Sequence, residues 1–362
     1  MKYSFLLILS LSGVFSSCNV KDEMPSDPEI DNLNWYMGFM NSAPRPGDLE
    51  LSLQVLDIWT SRADAAIINV EVPWQAIFDG QSISDIVDER FTGLAQFYRS
   101  RNIKLWVYID PQNGLDRSSD AVELQNAGRS IAEPEIQNLY KEFVVVMDSI
   151  LKPDHLGLAL ETNLIRDIST PEIYQGIRSA VNQVAQELKE RETTAELSIS
   201  IQADHAWGRL IGGPFRSIDT DFEDFPFITE LGISSYPYFG FNNPEDIPMN
   251  YYSRLVQGKA MNVFISEGGW TSSSILTDGF NRISSPEKQQ RYIEIHEKLL
   301  DEVNATAVFQ LLFTDIDLSS LPDPVPEKLQ FFAHIGLVDT ELNPKPALDA
   351  WDTLFSKRRT GF

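Results

Sequence analysis

Two glutamates end apolar, β-prone runs of this chain: Glu161 in HLGLALETNL and Glu267 in VFISEGGW. A carboxyl at the end of a buried run either caps the element that follows or stands where a ligand can reach it. Two carboxyls that face each other can carry out displacement at an acetal carbon. One protonates the leaving oxygen and the other attacks, with the carboxyls about 5–5.5 Å apart when configuration is retained. Such a pair needs unequal surroundings, one favouring the protonated form and one the ion. Residues 161 and 267 are 106 positions apart, so only a tertiary fold can bring them together.

The elements that would position them repeat eight times. Strand-like runs occupy 35–40, 65–72, 104–109, 155–161, 196–202, 230–236, 262–267 and 307–313. They are continuous apolar stretches, as expected of parallel strands covered on both faces. Amphipathic runs at 48–63, 84–101, 134–151, 171–190, 286–303 and 344–358 read as helices. Pro134, Pro171 and Pro286 stand at first-turn positions, where a missing N–H costs nothing. In the first helix Leu51, Leu53, Val55, Leu56 and Trp59 fall near one stripe, and 203–229 is mostly loop. Eight βα units over about 325 residues predict an α/β fold, a single (β/α)8 TIM barrel with extended βα loops, against an ordinary size of about 250. In such a barrel the C-terminal strand ends carry the chemistry, and Glu161 and Glu267 would end strands four and seven.

On these residues the chain resembles the clan A glycoside hydrolases, barrels with catalytic glutamates on strands four and seven. Within them it is similar to the family 53 endo-β-1,4-galactanases. SEGGW (266–270), GISSYPYFG (232–240), PDHLGLALETNL (153–164) and GLVDTELNPKPALDAW (336–351) carry the likeness. The resemblance implies Glu161 as acid/base, Glu267 as nucleophile, a β-linked glycan such as β-galactan as substrate, and no cofactor or metal. Two departures are visible. Leu160 stands where the clan has an asparagine that holds the sugar 2-hydroxyl, and strand two offers Asn69 and Glu71 where galactanases have arginines. A surface glycan-binding protein on a barrel that has lost catalysis is the alternative these departures raise.

Other candidates line up at strand ends. Gly268 and Gly269 would let the backbone turn beside a sugar, and Trp270 would offer it a flat apolar face. The structural alternative for Trp270 is burial on the following helix. Tyr236 or Tyr238 could hydrogen-bond Glu267, or form a core pair. Asp110 and Glu71 could bind hydroxyls or neutralise a nearby arginine. Asn163 could replace the missing asparagine, and Asp204, His205 and Trp207 read as a subsite wall. Trp74 and Trp106 divide between subsite and core, and Asp315 and Asp317 could line the mouth or meet a cation.

The 362 residues are 43% hydrophobic and 23% charged, ordinary for a globular chain, with a net charge of −24. That charge argues against nucleic acid, whose phosphates need clustered Lys and Arg. HExxH, CxxC, Walker A and GxGxxG patterns are absent, leaving metalloprotease and nucleotide readings unsupported. Residues 1–18 read as a lipoprotein-type signal peptide, with a basic start, an apolar run too short to span a bilayer, and Ser16-Ser17 before the only cysteine, Cys18. Lipidation at Cys18 would anchor the chain to an outer membrane or cell surface. Residues 19–33 read as a polar tether and 34–358 as the barrel. With one cysteine no intramolecular disulfide can form, and the oligomeric state is not fixed by the sequence.

Overall fold

The structure, a computed structural model, describes residues 32–359 apart from residue 46. The signal segment with Cys18, and residues 19–31 of the tether, lie outside the described residues. Leu33 does not belong to a tether. It is buried, and Asn32–Leu33 pairs in parallel with Arg358–Arg359, so the folded part starts no later than Asn32.

Eight parallel strands close into a barrel. They are β1 (Tyr36–Met40), β2 (Ala65–Glu71), β3 (Lys104–Asp110) and β4 (His155–Gly157), followed by β5 (Glu196–Gln202), β6 (Glu230–Ser235), β7 (Asn262–Gly268) and β8 (Ala307–Gln310). Closure is made by β8, which pairs Phe309 with Gly38 of β1 and Ala307 with Phe264 of β7. Inward-facing Ile67, Trp106, Tyr108, Phe264 and Phe309 fill the lower lumen, the packed interior this fold requires. The outward-facing residues pack beneath the helices in a second, larger core.

The helical layer follows the apolar periodicity. Helices span Leu49–Thr60, Gly93–Ser100, Pro134–Leu151, Pro171–Glu190, Pro286–Val303 and Pro346–Phe355. Side chains of Asp48, Thr170 and Ser285 cap three of them by accepting a first-turn N–H. In the first helix Val55, Leu56 and Trp59 are buried, but Leu53 is 56% exposed and leaves the predicted stripe. The 84–101 run is interrupted by a π-helical turn at Asp88–Thr92. Only the short helices Ala203–Ala206 and Asp219–Asp224 follow β5. No helix among the described residues is long and apolar enough to cross a membrane.

Candidate active site

Both glutamates reach the mouth through irregular backbone. The β4 ladder stops at Gly157, and the chain runs on buried to Glu161, whose φ of 53° is left-handed. Its N–H donates to Ser200 Oγ at 3.0 Å, which holds a conformation a non-glycine residue seldom adopts. Glu267 is aimed by a bulge. Ile265 pairs with Ile233 of β6, but Glu267 pairs with Ser234, leaving Ser266 as the extra residue. Phe264 faces the lumen, so strict alternation would send Glu267 outward; the bulge returns it to the mouth.

There the two carboxyls meet across one hydroxyl. Ser234 Oγ lies 2.6 Å from Glu161 Oε1 and 2.8 Å from Glu267 Oε1, which caps the separation of those two oxygens at 5.4 Å. That agrees with the spacing of a retaining pair and is short of the roughly 6.5–9.5 Å of an inverting one. The other side of Glu161 is held by Arg117, whose Nε donates to Oε2 at 2.8 Å while Nη1 donates to Asp110 Oδ2 at 2.5 Å. Burial works against the guanidinium's charge, but Asp110 and Glu161 outweigh it and hold Arg117 charged. Asp110 is itself raised by burial, with Arg117 pulling back. Glu71 joins them at the cleft edge, accepting from Gly114 N–H at 3.2 Å. Burial, and then Asp110 beside it, raises its carboxyl.

Glu267 is the perturbed member of the pair. Burial first, then the negative charge of Glu161, pushes it from an ordinary 4.5 up to about 7, against the opposing pull of Arg117 and Ser234. Ser234 carries a single hydrogen, so a continuous relay across it needs a proton on one carboxyl. Burial and the charge of Glu161 favour that proton on Glu267.

A cavity of about 340 Å3 opens over this cluster, lined by Asn69, Glu71, Asp110, Arg117, Glu161, Tyr236 and Glu267, with Leu160 and Phe332 among its apolar walls. A second lobe of about 420 Å3 adjoins it through Arg117, Glu161, Tyr236 and Phe332, without Glu267.

The structure thus brings together Glu161, Glu267, Asp110, Glu71 and Tyr236, and it removes several other candidates from the site. Trp270 is fully buried; its Nε1 donates to Ser284 Oγ and its ring packs on Tyr238 and on Tyr292 of the following helix. It offers no face to a ligand. The glycines before it serve the barrel wall: a Cβ on Gly268 would come 2.4 Å from Ser235 O, and one on Gly269 would come 2.6 Å from Gln310 Nε2. Tyr238 donates to Phe331 O and is a core residue. Glu267 receives its hydrogen bond from Ser234 rather than from either tyrosine.

The wall expected after β5 is also structural. Asn163 donates to Gln202 O and accepts from Gln202 N–H, stitching β5 to the Glu161 turn rather than facing the cleft. His205 is buried against Asp167. Trp207 donates to Tyr251 O and stacks on the Tyr251 ring. Asp204 accepts from Tyr236 N–H and the Tyr251 hydroxyl, so it positions Tyr236 from behind. Trp74 and Trp106 are both core residues, the latter stacked on His155 at 3.8 Å. Asp315 is bound to Lys345 and Asp317 to Arg45.

Arg117 and Ser234 complete the site; Arg117 belongs to no motif, and Ser234 lies within GISSYPYFG without being singled out there. Arg117 is the one basic residue between Lys104 and Arg129, in the loop after a strand that ends in Asp110. Ser234 shares the inward parity of Gly232 at the end of β6. Both facts are visible in the sequence once the barrel is assumed.

No protein-family model and no curated protein matches the sequence. Solved structures match its fold. An exo-β-1,4-mannosidase from Opitutaceae bacterium strain TAV5 superposes with a TM-score of 0.67 at 13% identity, over 88% of this chain and 58% of that one. A β-glucosidase from Exiguobacterium marinum gives 0.57 at 12%, over 89% and 98%. A β-glucuronidase from an uncultured Clostridium sp. gives 0.57 at 14%, over 89% of this chain and 50% of that one, so the chain spans about half of that neighbour's length. None of these three is a galactanase. At such identities the likeness carries the fold, and the fold is the (β/α)8 barrel that these glycoside hydrolases share.

Proposed function

We propose that the protein is a retaining glycoside hydrolase acting on a β-linked glycan, with Glu161 as acid/base and Glu267 as nucleophile. The observation that carries this reading is the pair of carboxyls joined through Ser234 at the floor of a cleft, within 5.4 Å of each other. One proton serves the pair. Burial favours it on Glu267; passed through the Ser234 hydroxyl to Glu161, it leaves Glu267 ionised for attack at the anomeric carbon. Glu161 then protonates the departing oxygen, and Arg117 keeps its second partner, Asp110. In the second half-reaction Glu161 takes a proton from water, which cleaves the glycosyl–Glu267 bond.

The resemblance to galactanases makes β-1,4-galactan the first substrate to offer. A lipid at Cys18, displaying the barrel on an outer membrane or cell surface, is part of the same proposal. Labelling with palmitate that Cys18→Ala abolishes is its test.

One observation favours a second reading, a glycan-binding protein without turnover. Both oxygens of Glu161 are already engaged, by Arg117 and Ser234, and Leu160 gives no hydrogen bond to a 2-hydroxyl. Incubation of the domain with β-galactan, mannan, glucan and xylan, beside Glu161→Gln and Glu267→Gln, separates the two. Products released by the wild type and lost in both variants support the hydrolase. Binding of a glycan with no product after long incubation supports the binder.

A further inference from the structure

We infer that the leaving-group side of the cleft accepts an apolar aglycone, so that the substrate is a β-glycoside of an alkyl or arylalkyl alcohol. The inference rests on the assignment of Glu161 as acid/base. That residue must face the leaving oxygen, and Glu267 the opposite face of the sugar. The first lobe of the cleft touches both glutamates and contains Glu71, Asp110 and Asn69, which suit a sugar's hydroxyls. The second lobe touches Glu161 but not Glu267, and so lies on the departing side.

What lines the second lobe decides its chemistry. Leu115, Leu164, Leu210, Ile211, Phe331 and Phe332, with Ile168 and Phe239, make its wall mostly apolar. Phe332 packs edge-on against Tyr236 at 5.0 Å, which makes the wall a fixed surface. Ile211 is 54% exposed at its rim, an apolar side chain left toward solvent. A sugar in this lobe would need free donors and acceptors, because each hydroxyl buried without a partner is penalised. Part of the polar capacity present is already engaged. Arg117 Nε and Nη1 donate to Glu161 and Asp110. Gln202 donates to Asp204 and accepts from His205 N–H. Lys328 at the rim lies 3.4 Å from Asp116. The Tyr236 hydroxyl, Arg117 Nη2 and the Lys328 amine remain near Glu161 and at the rim, but along the apolar wall between them a second sugar ring would leave hydroxyls unpartnered, whereas an alkyl chain or an aromatic ring buries there without loss.

The test compares matched methyl, n-octyl and benzyl β-glycosides of galactose, glucose and mannose with β-1,4-linked oligosaccharides of the same sugars. The three alcohols depart with similar intrinsic ease, so differences in kcat/KM report burial of the aglycone. Each buried methylene multiplies binding roughly fourfold, and the octyl or benzyl glycoside is expected to exceed the methyl glycoside by at least about tenfold. Octyl preference without benzyl preference identifies a lipid-like aglycone, and the converse an aromatic one. Ile211→Asp, at an exposed position that folding tolerates, is expected to cut the preference to near unity. Methyl and octyl glycosides turned over within about twofold of each other, with an oligosaccharide the best substrate, would overturn the inference and leave the hydrolase reading standing. With no turnover of any compound the hydrolase reading fails, and calorimetric binding of the same glycosides decides the lobe. Tighter binding of octyl or benzyl than methyl, weakened by Ile211→Asp, supports an apolar pocket; equal binding overturns it.

Discussion

At the N-terminal end of the barrel Glu230 is 1% exposed, and His155 Nδ1 lies 3.0 and 2.9 Å from its two oxygens, with the His155 ring stacked on Trp106. At the C-terminal mouth Glu71, Asp110, Glu161 and Glu267 line the first lobe of the cleft, in which, among the described residues, Arg117 is the only cation. Burial raises carboxyls at both ends. Below, one acid has one partner, and the lumen above it is filled with side chains. Above, four acids share one guanidinium and a hydroxyl. The lower pair is a packed structural element; the upper cluster is an unbalanced one with room beside it. Charge that a fold leaves uncompensated next to a cavity marks a candidate site.

The widest separation of the two ends comes from paired substitutions. Glu267→Gln is expected to lower kcat about a thousandfold or more, whereas Glu230→Gln leaves kcat within about twofold and shows its effect in the melting temperature. Equal loss of turnover in both variants would erase the distinction. Next in size, Arg117→Met removes the only cation from Asp110 and Glu161 and is expected to destabilise the fold by about 3–5 kcal/mol, measured by urea denaturation at pH 7. Loss of under about 1 kcal/mol would mean that the mouth tolerates its negative charge unaided.

The pH dependence follows from Glu267. Its folded-state value lies above its ordinary one, so the proton stabilises the folded state. Stability is fully present below pH 4.5 and is lost as pH rises toward about 7, by about 2–3 kcal/mol once solvent in the cleft is allowed for. Glu267→Gln should remove its part of that dependence, and Glu230→Gln should reduce the dependence with the same sign, because burial raises Glu230 as well. On the proposed mechanism the reactive form is the pair with its one proton, so kcat/KM should fall as pH rises through about 7, where that proton is lost; a rate that climbs there would sink the shared-proton relay. The smallest effect belongs to Ser234→Ala. Losing one hydrogen bond should change stability by about 1 kcal/mol or less and move the falling limb of the rate profile to higher pH, because the hydroxyl favours the ionised Glu267.

Much of this was legible in the chain. The eight strand runs and the main helices lie where apolar period and proline placement put them, because both record which faces must leave water. Glu161 and Glu267 were legible as strand-end carboxylates. Trp270, Trp207, His205 and Asn163 show where that reading stops. A tryptophan or histidine beside a strand end has the same local signature whether it faces a ligand or a neighbouring helix, and burial alone separates the cases. Arg117 was hidden for a related reason: a loop arginine carries no period, and its importance comes from Asp110 and Glu161 converging on it.

The sequence by itself determined the barrel and the two acids that its strands deliver, since hydrophobic pattern and chain order are one-dimensional properties. Only the tertiary structure decided how those acids differ. The bulge at Ser266 turned Glu267 inward, the left-handed turn at Glu161 set it against Arg117, and Ser234 came to stand between them. Each is a matter of a few ångströms between groups distant in sequence. At that range desolvation and neighbouring charge, not residue type, raise Glu267 above an ordinary carboxyl.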